Sequence, residues 1–263
     1  MKILAFILLP TVLALGSENN GRGTKAVSLA NAFVAIADNP WSVSYNPAGL
    51  SQFTSIRLAG FVVPQQFGLT ELKTSALAFA GGGIGITIEQ FGFNLYRETL
   101  LGAGCGFTVG PDVALGATMN VQSTSIEGYG NAMSLTLDVG LLGRISDKVS
   151  IGFAFKNVTG STIGEIGERL PQVLSLGGCY RPLEDFLIVG EIEKDIRFPT
   201  VLKAGIEQRL LDILNVRVGL SNNPDKVSAG ISFSLSVVEF GYAGYSHPDL
   251  GWTHQIEVSV RGE

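Results

Sequence analysis

VALGATMNVQ, residues 113–122, is the stretch that decides the fold, because apolar residues alternate in it with small or polar ones. Val113, Leu115 and Met119 fall on one set of alternate positions, and Gly116 and Asn120 fall on the other. Successive side chains of a β-strand point to opposite faces, so one face of this strand is apolar and the other is not. The stretch therefore predicts a β-strand with one apolar face.

The same period of two extends through the chain from Thr54 onward. It recurs from Met133 to Leu141, from Val149 to Phe155 and from Ile256 to Val260. We read 14 strands, near residues 54–63, 73–81, 83–91, 97–109, 112–124, 130–143, 147–157, 172–180, 185–194, 200–209, 214–221, 226–233, 236–246 and 252–261. Alternation of this kind fits a soluble sandwich and a membrane barrel equally well.

The lengths of the connections separate these two folds. The connection after each even-numbered strand is tight, as at Gly110-Pro111 and Ser234-Leu235, whereas several connections after odd-numbered strands are longer, as at residues 64–72 and 158–171. Short turns at one end and longer loops at the other are typical of an outer-membrane barrel. The pattern predicts an all-β fold: a closed antiparallel transmembrane β-barrel.

The chain length sets the number of strands. When residues 54–263 are shared among about 14 strands, roughly 15 residues remain for each strand with its connection, which accommodates spanning strands of about 9–11 residues. Twelve strands remain compatible with the pattern, because boundaries read from sequence carry errors of roughly 2–4 residues. Lipid offers the backbone no hydrogen-bond partners, so the sheet must close on itself.

The composition supports this class and excludes others. Hydrophobic residues make up 46% and charged residues 16% of the chain, which argues against a disordered protein. The net charge of -5 and the lack of a basic patch give no reason to expect nucleic-acid binding. Outer-membrane lipid is therefore the expected environment.

The first 16 residues have the pattern of a signal peptide. Lys2 precedes an apolar run from Ile3 to Leu13, and Ala14-Leu15-Gly16 follows, with the small residues Ala14 and Gly16 before the expected cleavage site. This pattern predicts export and cleavage, with an uncleaved membrane anchor as the alternative.

Residues 17–53 form a second region that is rich in small residues. Ala26, Leu29, Ala30, Phe33 and Ala37 have helical spacing, and Asp38-Asn39-Pro40 is expected to end that helix.

Several segments carry a resemblance to a known family. They are Gly21-Arg22-Gly23, residues 35–40 and 45–50, Leu170-Pro171, Gly205-Ile206-Glu207, and residues 242–256. Together they resemble the PorV/PorQ branch of the FadL-type outer-membrane β-barrel family, and the resemblance covers most of the chain after the signal peptide.

The resemblance implies a barrel of about 14 strands, formed by residues 54–263, with residues 17–53 folded inside it as a hatch. Asn46, Pro47, Ala48 and Gly49 match the family's hatch motif; a plain turn before the first strand is the alternative. The resemblance also places a lateral gate near the third strand, where the chain has Gly81, Gly82, Gly83 and Gly85, although a simple tight turn explains the same run.

The candidate lumen face carries charged residues. They are Asp138, Lys156, Glu191, Glu193, Arg217, Glu239, Glu257 and Arg261. These charges either line a permeation path or pair with one another and hold the hatch.

Cys105 and Cys179 lie in separate apolar segments, so we expect two buried free thiols, with a disulfide as the alternative.

No arrangement of residues predicts catalysis, a metal site or a cofactor. His247 and His254 lie outside any Ser/His/Asp or metal-ligand pattern, and the sequence has no HExxH, CxxC or phosphate-binding loop. Two functions fit the resemblance: passage of small hydrophobic molecules across the outer membrane, or a non-enzymatic role in secretion that binds secreted proteins at the cell surface. A barrel with a mainly structural role is a third option.

Overall fold

The chain forms a closed β-barrel in which every strand is antiparallel to both neighbours, as seen in a computed structural model that describes residues 21–164 and 167–262. Fourteen strands make the wall, and the pairing of Leu58 with Val260 belongs to the ladder that closes it. The prediction of an all-β barrel of about 14 strands is thus confirmed, and twelve strands are excluded. The expected signal peptide, residues 1–16, lies outside the described residues.

The barrel strands follow one another around the wall in sequence order. They are β1 (Arg57–Val63), β2 (Lys73–Gly81), β3 (Ile84–Gly92), β4 (Tyr96–Thr108), β5 (Val113–Ile126), β6 (Gly130–Ser146), β7 (Val149–Lys156), β10 (Val173–Leu183), β11 (Phe186–Asp195), β12 (Val201–Leu211), β13 (Leu214–Ser221), β14 (Lys226–Leu235), β15 (Val238–His247) and β16 (Gly251–Arg261). Between β7 and β10, the two-residue strands β8 (Thr162–Ile163) and β9 (Glu168–Arg169) pair only with each other.

The helices of the described residues are few and short. They are α1 (Thr24–Ser28), α2 (Ser42–Tyr45) and a 3₁₀ helix (Pro47–Gln52). Within residues 21–164 and 167–262, none of the helices has the length and apolar character needed to cross a membrane.

The two faces of the wall differ in chemistry, as strand β3 illustrates. Ile84, Ile86 and Ile88 are exposed on its outer face, whereas Thr87 and Glu89 are buried on its inner face. The apolar outer face fits lipid, and the polar inner face faces the lumen, as in outer-membrane barrels.

The two ends of the barrel also differ. The end that holds the tight connections, including residues 82–83, 147–148 and 236–237, is called the turn end, and the opposite end is called the loop end. The two long connections, residues 64–72 and 157–172, both lie at the loop end. Because short turns of such barrels face the periplasm, the loop end is assigned to the cell exterior.

A first prediction tests the assignment of the two faces. Val258 is exposed on the outer face of β16, and its neighbour Glu257 is buried inside. Val258→Arg should block assembly, because Arg near the middle of the lipid face costs roughly 2–4 kcal/mol. Glu257→Gln and Val258→Leu should still give a barrel that migrates faster on gels before heating than after. Equal assembly of Val258→Arg and Val258→Leu would show that this face of β16 does not meet lipid.

Candidate functional site

Residues 21–53, here called the plug segment, pack against the inner face of the wall. Helix α1 contacts β13 to β16, α2 contacts β3 and β4, and the 3₁₀ helix contacts β3 to β6. Leu29, Phe33, Ile36, Trp41 and Leu50 of this segment are among the largest fully buried side chains of the described chain. The plug segment thus supplies much of the core inside the barrel.

The path of the plug segment differs from the continuous helix that the sequence suggested. Helix α1 ends at Ser28, because Ala30 and Asn31 adopt positive φ angles of 54° and 62°. Further on, the backbone N–H groups of Phe33 and Val34 both donate to the Glu191 carboxylate of the wall, at 2.9 Å. The expectation that Asp38-Asn39-Pro40 ends the helix was wrong, since bonds to the wall replace helical bonds well before that point.

The Asn46–Gly49 segment fixes the plug to the wall. The Asn46 amide donates to Val34 O at 2.7 Å and to Leu141 O of β6 at 3.0 Å, and its side-chain oxygen accepts from Ala48 N at 3.2 Å. Pro47 then begins the 3₁₀ helix, where its fixed φ is compatible with a first turn. One fully buried amide therefore links two parts of the plug to a strand.

A ring of wall glycines receives the plug segment. Each is buried on the inner face of its strand, and a Cβ atom there would lie closer than 3.0 Å to a plug atom. These residues, here called the glycine girdle, are Gly85, Gly106, Gly116, Gly140, Gly152, Gly177, Gly205, Gly219, Gly230 and Gly241. Their absent side chains allow the plug to touch the wall directly, so the lumen is filled at this level.

The girdle is a feature that our sequence reading missed. Its signal was present, because a glycine occupies an inward-facing position on ten of the barrel strands. Glycine in a strand often marks a close approach of another backbone. The sequence alone did not indicate that all of these positions meet one segment.

Two buried wall carboxylates hold the plug through hydrogen bonds. Glu257 accepts from Trp41 Nε1 at 2.7 Å, from Thr24 Oγ1 at 2.7 Å and from Thr24 N. Glu191 accepts the two backbone groups described above and also pairs with Lys203 Nζ at 3.1 Å. Buried carboxylates need such donors to offset lost hydration, so both glutamates act as anchors for the plug.

Ion pairs connect the plug to the wall at three further places, one of which joins Arg181 of β10 to Asp38 at 4.0 Å. Arg22 binds Glu89 through two hydrogen bonds, of 2.7 Å and 3.1 Å. Lys25 lies 2.8 Å from Asp38 within the plug and 3.4 Å from Glu207 of β12. Glu89 and Glu207 lie at inward positions of their strands, but the charges that we singled out from the sequence did not include them.

A cavity of about 330 Å³ lies between the plug segment and the loop end. Arg22, Ser44 and Glu89 line it on the plug side. The lining from the loops is mostly apolar and consists of Leu170, Pro171, Phe198, Pro199 and Pro224 together with Asn157 and Asn223. A smaller cavity of about 70 Å³ shares several lining residues with it. We call the larger space the outer cavity.

Three of the predicted lumen charges line the outer cavity. Asp138 accepts hydrogen bonds from Asn120 Nδ2 at 2.9 Å and from Asn157 N at 2.8 Å. Lys156 places its Nζ 5.3 Å from the centre of the Tyr45 ring, and Glu193 lies 2.6 Å from Lys203 Nζ. These charges are held by neighbours and form part of the cavity wall.

The remaining predicted charges lie elsewhere in the barrel. Arg217 is buried and pairs with Glu207, and its second terminal nitrogen lies 3.9 Å from Glu239. Arg261 is exposed at the turn end, opposite Arg57. The eight charges therefore do not form one continuous row through the lumen.

The glycine run near β3 forms a tight turn in this conformation. Gly82 and Gly83 have positive φ angles of 60° and 77° and connect β2 to β3. Strand pairing continues without a register shift from Gly81 opposite Ile84 to Lys73 opposite Gly92. Gly85 belongs to the girdle and meets Leu50 of the plug. The wall is closed here, so a lateral opening would require a second conformation.

Both cysteines are free thiols, as expected from the sequence. Cys179 is buried, but Cys105 is exposed, so the expectation that both are buried was wrong for Cys105. On β4 it occupies an outward-facing position, as Leu101 and Phe107 do.

Within the part of the chain that the structure describes, no group of three His, Cys, Asp or Glu residues could hold a metal ion.

Comparison with known structures supports this fold class. The CymD monoaromatic hydrocarbon channel matches with a TM-score of 0.63 and 12% identity, covering 92% of this chain and 96% of that one. A FadL homologue from Pseudomonas aeruginosa matches with a TM-score of 0.63 and 10% identity, over 90% and 98% of the two chains. The toluene transporter TodX from Pseudomonas putida matches with a TM-score of 0.58 and 12% identity, over 84% and 92%.

At these identities the likeness shows a shared fold: that of the FadL-type outer-membrane channels. No protein-family model and no curated protein matches the chain.

Proposed function

We propose that this protein is an outer-membrane channel that takes up small hydrophobic molecules, with the plug segment as its hatch. The observation that carries the proposal is the outer cavity above the plug, where apolar loop residues such as Leu170 and Phe198 form one part of a lining that is otherwise mostly polar. A molecule that leaves water for this lining gains the free energy of apolar burial, about 25 cal/mol for each Å². Capture at the cell exterior would be the first step of uptake.

The size of the cavity agrees with a small ligand. An apolar cavity of about 150 Å³ is sufficient to bind benzene. The outer cavity, at about 330 Å³, therefore has room for a single-ring aromatic or a short hydrocarbon. Phe198 and Leu170 offer an apolar surface to such a ligand, and the polar and charged residues of the lining, which include Glu98 and Asp195 near the loop end, surround that surface.

Release from the outer cavity needs a movement, because the girdle and the plug fill the lumen below it. One route is a shift of the plug segment, which the bonds of Glu257 and Glu191 oppose. A second route is an opening in the wall near Gly81, Gly82, Gly83 and Gly85, where the strand pairing would have to part. We retain both routes as parts of the proposal.

A role in secretion, like that of the PorV/PorQ branch, is the second candidate. The feature that favours it is the tight seating of the plug on the girdle. If the plug never moves, the outer surface at the loop end becomes the working part, and a secreted protein becomes the expected partner. Both candidate functions require export to the outer membrane with removal of residues 1–16.

A test of uptake distinguishes these candidates. In cells that express the protein, toluene uptake from dilute solution should exceed that of cells without it. Val173 lines the outer cavity, and its neighbour Leu174 is exposed on the outer face. Val173→Trp should reduce uptake roughly tenfold, because the added indole takes up space that the ligand needs, and overpacking costs about 1–3 kcal/mol.

Leu174→Trp is the matched control, since it adds the same side chain one residue away but outside the lumen. Its uptake should equal that of the unmodified protein. If the unmodified protein gives no uptake above background, the transport proposal fails and the secretion role becomes preferable. If uptake occurs but both Trp variants behave alike, the outer cavity is not part of the route.

A further inference from the structure

The outer wall carries a polar recess at the loop end of β2, β3 and β4. Its volume is about 510 Å³, and its lining includes Lys73, Ser75, Gln90, Gly92 and Arg97. The strand register places Lys73, Gly92 and Arg97 in one row across the three strands. This row lies on the outer face of the wall, so the recess is separate from the lumen and from the outer cavity.

The two cations of the recess stand on either side of a glycine. Because each strand is about 4.8 Å from the next, the backbones of Lys73 and Arg97 lie roughly 10 Å apart. Gly92 between them has a φ of 102°, and a Cβ there would lie closer than 3.0 Å to Tyr96 O. The centre of the row therefore has no side chain, and the space between the two cations stays open.

Neither cation is neutralised by an ion pair. Both side chains are exposed, and no salt bridge within residues 21–164 and 167–262 includes Lys73 or Arg97. The one carboxylate in the lining, Glu71, accepts a hydrogen bond from its neighbour Thr70 at 3.2 Å. The recess thus keeps a net positive charge that is available to a ligand.

The recess lies next to the apolar band of the wall. The next outward-facing row of the wall, one step from the cations toward the turn end, contains Ser75, Gln90 and Thr99. The row below that one contains Leu77, Ile88 and Leu101. Leu77 is 64% exposed, as expected for a lipid-facing side chain. A lipid whose chains lie on this apolar row would place its headgroup at the polar row and the cations.

We propose that this recess binds the phosphate group of an anionic lipid in the outward-facing leaflet of the membrane. Arg presents a planar set of donors that matches phosphate oxygens, and Lys adds a second, mobile charge. Ser75 and Gln90 supply neutral donors at the level between the phosphate and the acyl chains. The acyl chains cover the leucine and isoleucine row below, which fixes the lipid against the wall.

Native mass spectrometry of the full chain can test this site. The purified, delipidated barrel is mixed with bis-phosphorylated lipid A or with the same lipid after removal of both phosphates. The unmodified barrel should retain the phosphorylated lipid preferentially. Because each basic residue near a charged lipid surface contributes about 1 kcal/mol, Lys73→Gln with Arg97→Gln should weaken that retention roughly 30-fold.

The control removes the same amount of charge at the same end of the barrel. Lys194 and Arg197 lie near the β11–β12 loop, outside the recess, and Lys194→Gln with Arg197→Gln should retain lipid as the unmodified barrel does. All variants are first checked for heat-modifiable migration on gels, and 5 mM inorganic phosphate should not displace the lipid. Equal retention of both lipids, equal losses in the two double variants, or displacement by phosphate alone would each overturn the proposal.

Discussion

Gly116→Val should displace the plug segment and open the lumen to water. A Cβ at Gly116 would lie closer than 3.0 Å to backbone atoms of Pro47 and Ala48, which cannot rotate away as the end of a side chain can. Overpacking of this kind costs roughly 1–3 kcal/mol, and contact with backbone puts the expected value at the upper end. Recordings in planar lipid bilayers should show large, steady conductance where the unmodified barrel shows little.

Gly178→Val is the matched control for this substitution. Gly178 lies in strand β10, and an added Cβ would meet only Ser150 O, at 4.0 Å. This variant should conduct as little as the unmodified barrel. If Gly116→Val assembles, as judged by heat-modifiable migration, and still conducts no more than the control, then the girdle does not seat the plug.

Glu257→Ala should release the first part of the plug segment. The substitution leaves Trp41 Nε1, Thr24 N and Thr24 Oγ1 without their acceptor, and each unsatisfied buried donor costs about 1–3 kcal/mol. The summed loss, roughly 3 kcal/mol or more, should appear as faster hydrogen exchange across residues 21–45. Glu257→Gln keeps an acceptor oxygen and should give an intermediate rate.

Glu239→Ala provides the comparison, because Glu239 faces the lumen from the adjacent strand β15 and is half-buried. Its carboxylate contacts Ser234 Oγ and Arg217, both of which belong to the wall. Exchange in residues 21–45 should remain close to that of the unmodified barrel. Similar acceleration in both alanine variants would mean that loss of lumen charge, rather than loss of the anchor, loosens the plug.

The wall was predictable from the sequence because the membrane imposes one pattern on every strand. Lipid must meet apolar side chains such as Ile86 and Ile88, and the intervening positions are free of that constraint. The strict period of two follows from this requirement, so counting its repeats gives the strands. The tight turns at Gly82-Gly83 and similar positions then separate one strand from the next.

The interior was less predictable, because its contacts join residues that are far apart in the sequence. Nothing local indicates that Arg22 pairs with Glu89 or that Glu191 receives the backbone of Phe33. The helical spacing from Ala26 to Ala37 was real, yet the wall offered the backbone other partners, so the helix stopped early. Tertiary hydrogen bonds there override the local preference for a helix.

The bond between Thr24 and Glu257 joins residues 233 positions apart, close to opposite ends of the described chain. The plug segment precedes every strand of the wall in the sequence, whereas its acceptor lies on β16, the last strand of the described barrel. Contacts of such high separation form late, because the chain must first close a long loop. The anchor at Glu257 therefore forms only once β16 has joined the wall, and a barrel that stalls before that step holds its plug only through other bonds, such as those to Glu191, Glu89 and β6.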